Sequence, residues 1–147
     1  MFFDDKKSFS GEPSEISELL RKWKPAECKS EKDFEFSLYD FLHKKLEDTQ
    51  ITKQYARGRI HADIAIADKT IIELKTNLDS TGKYQRLIGQ LAEYETWEGS
   101  VFIILTGETD KNLLKSLKSY IEKLNEKFSS KAWTFFDATE KFFLIEK

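Results

Sequence analysis

Three ionisable side chains in one short stretch could work together: Asp63, Glu73 and Lys75 in HADIAIADKTIIELKT, residues 61–76. Two carboxylates offer hard oxygen donors. Mg²⁺ or Mn²⁺ takes such donors and fills its remaining positions with water and phosphate oxygens. A lysine beside that cation could orient a nucleophilic water or neutralise charge on a phosphorane-like transition state. The chemistry these residue types suggest is metal-assisted hydrolysis of a phosphodiester. A Cys/His zinc cage is excluded, because the chain has one cysteine, Cys28, and two histidines, His43 and His61.

Strand register decides whether the three groups meet. If both halves of the stretch are strands, His61, Asp63, Ala65 and Ala67 share one face of the first, and Ile71, Glu73 and Lys75 share one face of the second. A two-residue turn at Asp68-Lys69 pairs Ile64 with Glu73 and sends Asp63 to the opposite side. A three-residue turn, Asp68 to Thr70, pairs Asp63 with Lys75 and Ala65 with Glu73, which brings all three onto one face. No Asn-Gly signal forces the even turn, so the odd register stays open. In it Asp63 and Glu73 are diagonal neighbours, roughly 7 Å apart at the backbone. The competing reading is a solvated polar face, and the Ala65, Ala67 and Ile71 that share it argue against that.

The elements that must carry these residues follow from periodicity. Residues 1–13 read as a loose leader. A helix follows with Ser14 as its N-cap and Ile16, Leu19, Leu20 and Trp23 on one side, and Pro25 ends it. Ser30 caps a stronger helix with an apolar stripe of Phe34, Leu38, Phe41, Leu42 and Leu46. Residues 51–56 and 60–67 form a hairpin around an Arg-Gly turn, and TIIELKT is the next strand. Residues 80–97 read as a helix, and SVFIILT as a strand buried on both faces. Thr109 or Asp110 then caps a long lysine-rich helix, and two short strands, AWTFFD and KFFLIEK, close the chain. Strand, helix, strand over residues 70–106 implies a right-handed crossover and a parallel pair within a mixed sheet. The fold class is α/β.

Asp63, a nine-residue gap, then Glu73-Leu74-Lys75 resembles the signature of the PD-(D/E)xK nuclease superfamily, whose restriction-endonuclease-like core runs αβββαβ. That order matches the elements read over residues 31–106. The resemblance implies a mixed central sheet flanked by helices, here extended by the C-terminal helix and two short strands. It also implies Asp63 and Glu73 as metal ligands and Lys75 as a catalytic residue. A further carboxylate comes from the opening helix, Glu35 or, one turn earlier, Glu31. Gln90 and Tyr94 match the Q-x-x-x-Y spacing of the exonuclease-like branch. On one helical face with Lys83 and Arg86, they would form a strip that meets a nucleic-acid backbone or base. Ala62 stands where the family name expects proline.

Composition limits the partners. The chain of 147 residues carries a formal net charge of −2, so binding to nucleic acid rests on a local basic patch. Arg57 and Arg59 flank the turn before the Asp63 strand, and Lys53 leads into it, which supplies a phosphate track. Length and composition predict one domain, residues 1–147. A lone cysteine, an N-terminus without an apolar signal segment and no long apolar run predict a cytoplasmic protein without a membrane partner. A phosphate-binding loop in NLDSTGKY is rejected, since Asn77 and Tyr84 occupy positions that need glycine and Ser/Thr. His61 reads as a surface residue, and the lysines of the long C-terminal helix, interleaved with Glu122 and Glu126, read as a solvated face. The expected function is a Mg²⁺-dependent nuclease with DNA as its target, with Mn²⁺ as substitute metal, working as a homodimer or within a larger nuclease assembly. The alternative is a catalytically inactive nuclease-fold module that binds nucleic acid or a protein partner.

Overall fold

The computed structural model describes residues 11–25, 27–129 and 140–147. In chain order these form α1 (Pro13–Lys22), α2 (Glu31–Lys45), β1 (Ile51–Arg57), β2 (Ile60–Ile66), β3 (Thr70–Thr76) and α3 (Thr81–Glu93). A 3-10 turn (Tyr94–Thr96), β4 (Ser100–Thr106), α4 (Lys111–Ser129) and β5 (Phe142–Glu146) complete the set. The five strands make one mixed sheet in the order β1-β2-β3-β4-β5. The β1–β2 and β2–β3 pairs are antiparallel, and β3–β4 and β4–β5 are parallel. The α/β class and the element order read from the sequence are those observed. The strand expected at AWTFFD and the leader up to residue 10 lie outside the described residues.

Local chemistry sets the helix ends. Ser30 Oγ accepts from the Asp33 N–H at 3.2 Å while Asp33 accepts from the Ser30 N–H at 3.1 Å, a reciprocal box that starts α2. α1 begins two residues earlier than an N-cap at Ser14 predicts, with Glu12 at the cap position, because Pro13 at its first position supplies a helical φ and needs no N–H partner. The helix expected over residues 80–97 is α up to Glu93 and then tightens into the 3-10 turn.

Two apolar layers sandwich the sheet. Ile16 and Leu20 of α1, Trp23 just beyond it, and Leu38 and Leu42 of α2 pack on Ile64, Ile66, Ile72, Leu74 and Ile104. On the other face Leu87, Leu91, Leu117 and Ile121 of α3 and α4 pack on Ala65, Ile71, Val101, Ile103 and Leu105. β4 is buried along its whole length, as expected of a central parallel strand covered on both sides. Each fully buried Leu or Ile here contributes about 1.5–3 kcal/mol relative to exposure.

The loop between β2 and β3 has three residues, Ala67 to Lys69, and the register is Ile64↔Ile72, Ala65↔Ile71 and Ile66↔Thr70. The loop has the odd parity that the sequence leaves open, but the register is displaced from the expected Ala65–Glu73 and Asp63–Lys75 pairs. Ala67 adopts φ 52°, so the chain turns before Asp68.

The β1–β2 ribbon also breaks strict alternation. Ile64 and Ile66 face the α1/α2 layer, whereas Ile60 and Ala62 lie in the α3/α4 layer together with Ala65. His61 and Ala65 therefore do not share a face, contrary to the simple period-2 expectation. The break falls at Asp63 and its cross-strand neighbour Gln54, which has φ 49° and interrupts the otherwise continuous β1–β2 register.

Candidate active site at the β2–β3 fork

Backbone pairing between β2 and β3 ends at Ile64↔Ile72, while β1 and β2 stay paired out to Arg57↔Ile60. The β1–β2 ribbon thus separates from β3 as a unit, and the sheet forks at Asp63. The fork would leave the N–H groups of Leu74 and Thr76 without ladder partners, and carboxylates take them. Asp63 Oδ2 accepts from the Leu74 N–H at 2.7 Å, and Glu31 Oε1 accepts from the Thr76 N–H at 3.3 Å.

Glu73 and Lys75 project from β3 into this fork. Glu73 is 2% exposed, and its Oε2 lies 3.5 Å from the Lys75 ammonium. Its Oε1 lies 2.6 Å from the Tyr94 hydroxyl oxygen, which is also 2.5 Å from the carbonyl oxygen of His61, so the one phenolic proton lies between two acceptors. Tyr94 therefore ties the end of α3 to β3 and to the departing β2 at one point. Lys75 keeps 21% of its side chain exposed, so the ammonium touches both the buried carboxylate and the outside.

Electrostatics at the fork favour a cation. Burial, then repulsion from Asp63, pushes the Glu73 carboxyl up to about 8, and the contacts with Tyr94 and Lys75 offset this only in part. Asp63 rises to about 6, mainly through burial; the Leu74 N–H pulls it down, and Glu35 and Glu31 push it up. Burial and the neighbouring Glu73 also raise the Tyr94 phenol. Two acids that resist ionisation mainly because they are withdrawn from water, with the single ammonium of Lys75 offsetting this only in part, form a donor set of hard oxygens suited to Mg²⁺ or Mn²⁺. Gln90, one turn before Tyr94 on α3, has a buried Oε1 without a hydrogen-bond partner, a further oxygen on the same side of the helix.

Other predicted residues are placed as follows. Glu35 is close enough to Asp63 to raise it, yet its carboxylate accepts from Gln54 Nε2 at 2.7 Å. Among the described residues no three His, Cys, Asp or Glu side chains are gathered to hold a metal ion. The expected trio of Asp63, Glu73 and Glu35 is thus not assembled as a closed cage, because Gln54 holds the third member. Tyr94 is 1% exposed, so it faces the carboxylate and not an incoming strand as the resemblance implied. Lys83 binds the Asn77 carbonyl and the Asp79 carboxylate, both at 3.0 Å, and so braces the β3–α3 loop. Arg86 is exposed on α3.

Arg57 and Arg59 sit at the ribbon tip, away from the fork. The Arg57 guanidinium lies 4.9 Å above the Trp97 ring. Both arginines line a cleft of about 550 Å³ with Gly58, Ile60, Ala92, Glu93 and Thr96. Sequence reasoning missed Gln54: a polar residue on an exposed strand edge gives no sign of a left-handed backbone.

No protein-family model, curated protein or solved structure matches this chain. Among the described residues no helix is long and apolar enough to cross a membrane.

Proposed function

We propose that the β2–β3 fork is the active site of a metal-dependent nuclease that hydrolyses phosphodiester bonds, with DNA as its target. The observation that carries this reading is the pair of carboxylates at the fork, half-buried Asp63 and buried Glu73, raised to about 6 and about 8 beside the partly exposed Lys75. Carboxylates so perturbed, at a break in the sheet, mark a functional site more readily than a structural one. The resemblance of the D-x9-E-x-K spacing to the PD-(D/E)xK superfamily supports the same chemistry.

Asp63 and Glu73 would hold the cation, since Mg²⁺ is commonly bound by one or two carboxylates, with waters and substrate phosphate completing its shell. When bound, the cation supplies Lewis-acid polarisation of the phosphate and a water of lowered pKa. Lys75 carries the positive charge that meets the phosphoryl oxygens as negative charge grows on them. Tyr94 fixes the Glu73 carboxyl, and through the His61 carbonyl it fixes the spacing between β2 and β3. Leu74 is held to Asp63, so both acids are locked to one rigid strand pair.

A second reading, a non-catalytic module that binds nucleic acid or a protein, draws support from the engagement of Glu31 and Glu35 by Thr76 and Gln54. Incubating the protein with supercoiled plasmid, linear duplex, single-stranded DNA and RNA, with Mg²⁺, Mn²⁺ or a chelator, separates the two. Cleavage that requires the metal and disappears in Asp63→Asn supports the nuclease. Binding with no cleavage of any substrate supports the module.

A further inference from the structure

Among the described residues Phe36 is the one large hydrophobic side chain left exposed, at 62%. It belongs to a surface group that the fork does not use. On α2, residues 32, 36, 39 and 43 follow at helical spacing, so Lys32, Phe36, Tyr39 and His43 make one outward stripe. Tyr39 and His43 are stacked, with ring centres 5.7 Å apart and planes 11° from parallel. Across from them, Lys53 of β1 holds its ammonium 5.4 Å from the Phe36 ring and 4.7 Å from the Tyr39 ring.

The stripe adjoins the fork directly. Glu35 precedes Phe36, Gln54 follows Lys53, and the two are joined at 2.7 Å. Nearby negative charge is partly accounted for: Asp40 pairs with Lys44 at 3.0 Å, and Glu35 with Gln54.

We propose that this outer face of α2 and β1 is a stacking platform for unpaired bases of a single-stranded nucleic acid, with Phe36 and Tyr39 meeting bases and Lys53 meeting phosphates. The inference deepens the nuclease reading and rests on it for what happens at the fork. Aromatic faces beside a cation suit a chain that alternates π-surfaces with phosphates. A duplex keeps its base faces stacked inside and cannot use them. A stable protein interface needs about 800 Å² per partner, more than one exposed phenylalanine and one half-buried tyrosine supply.

The test is binding by the full chain, with divalent metal chelated, of end-labelled dT15, rU15 and a 15-base-pair duplex. Chelation separates this test from the nuclease reading, since binding is read whether or not the fork cleaves. Phe36→Ala should weaken single-strand binding by about 5- to 100-fold and leave duplex binding unchanged. Phe36→Trp should retain the affinity, and Phe36→Leu should not. Lys53→Ala should reduce the slope of log affinity against log salt by about 0.7. Loss with dT15 alone, or with rU15 alone, supports the platform and identifies the strand it takes. No single-strand binding by the wild type, unchanged binding in Phe36→Ala, equal loss for duplex and single strand, or an effect of Phe36→Ala only on self-association would overturn it.

Discussion

The carboxylate of Asp63 accepts the backbone N–H of Leu74 at 2.7 Å, a hydrogen bond across the point where β2 leaves β3. One side chain thus closes the broken ladder and stands beside Glu73 in the fork. Structure and chemistry are coupled in that residue, and substitutions can separate them.

Asp63→Asn keeps an oxygen able to accept from Leu74, whereas Asp63→Ala leaves a half-buried N–H with no protein partner at a cost of about 1–3 kcal/mol. The Asp63→Asn variant should melt close to the wild type and show at least a hundredfold loss of metal-dependent cleavage. The alanine variant should lose both stability and cleavage. Thermal melts run beside cleavage rates distinguish the two.

Glu73 makes stability fall with rising pH. Its carboxyl titrates at about 8 in the folded chain against an ordinary 4.5, so between these values the folded state holds a proton that the unfolded state has lost. Its contribution is fully present below about 4.5, declines through neutrality and is gone above about 8. Asp63 acts with the same sign between 3.8 and about 6. At about 1.4 kcal/mol per pKa unit, the effect amounts to a few kcal/mol at most. Glu73→Gln should melt higher than the wild type at pH 8, and its denaturation midpoint should change less between pH 6 and 8.

Tyr94→Phe removes the hydroxyl that meets both Glu73 and the His61 carbonyl. It should destabilise the protein by about 1–2 kcal/mol, the cost of leaving a buried acceptor unpaired. Because the phenol holds the Glu73 pKa down, its loss should move the acid limb of the pH–rate profile to higher pH. A fall in rate with an unshifted profile would make the tyrosine purely structural.

Gly99 is required by close approach. A β-carbon there would lie 1.7 Å from the Lys69 carbonyl oxygen and 2.9 Å from Trp97 Nε1. That carbonyl also accepts the Ser100 N–H at the start of β4. Gly99→Ala should cost about 2–4 kcal/mol, as overpacking against backbone does, which chemical denaturation can measure.

Much of the fold is legible because it rests on strong local signals. The Ser30 box, the unbroken apolar run of β4 and the alternation of strand and helix over residues 70–106 each correspond to an observed element. The odd parity of the β2–β3 loop is legible as an open alternative, but the turn position is not. Ala67 takes a left-handed φ that only Gly or Asn would have advertised. The twist at Gln54 and Asp63 is hidden for the same reason. It undoes the inference that period-2 alternation alone sets the face of Asp63. The role of Tyr94 depends on where the crossover helix lands on the sheet, a tertiary fact that Q-x-x-x-Y spacing does not encode.

The most direct test of the central claim is the rate of phosphodiester cleavage over a Mn²⁺ titration, for the wild type and Lys75→Ala side by side. The wild type should cleave with a rate that saturates in Mn²⁺. The variant should keep its fold and its Mn²⁺-dependent rise in melting temperature while cleaving at least a hundredfold more slowly. Cleavage undiminished in Lys75→Ala, or no cleavage by the wild type at any Mn²⁺ concentration, would contradict the account.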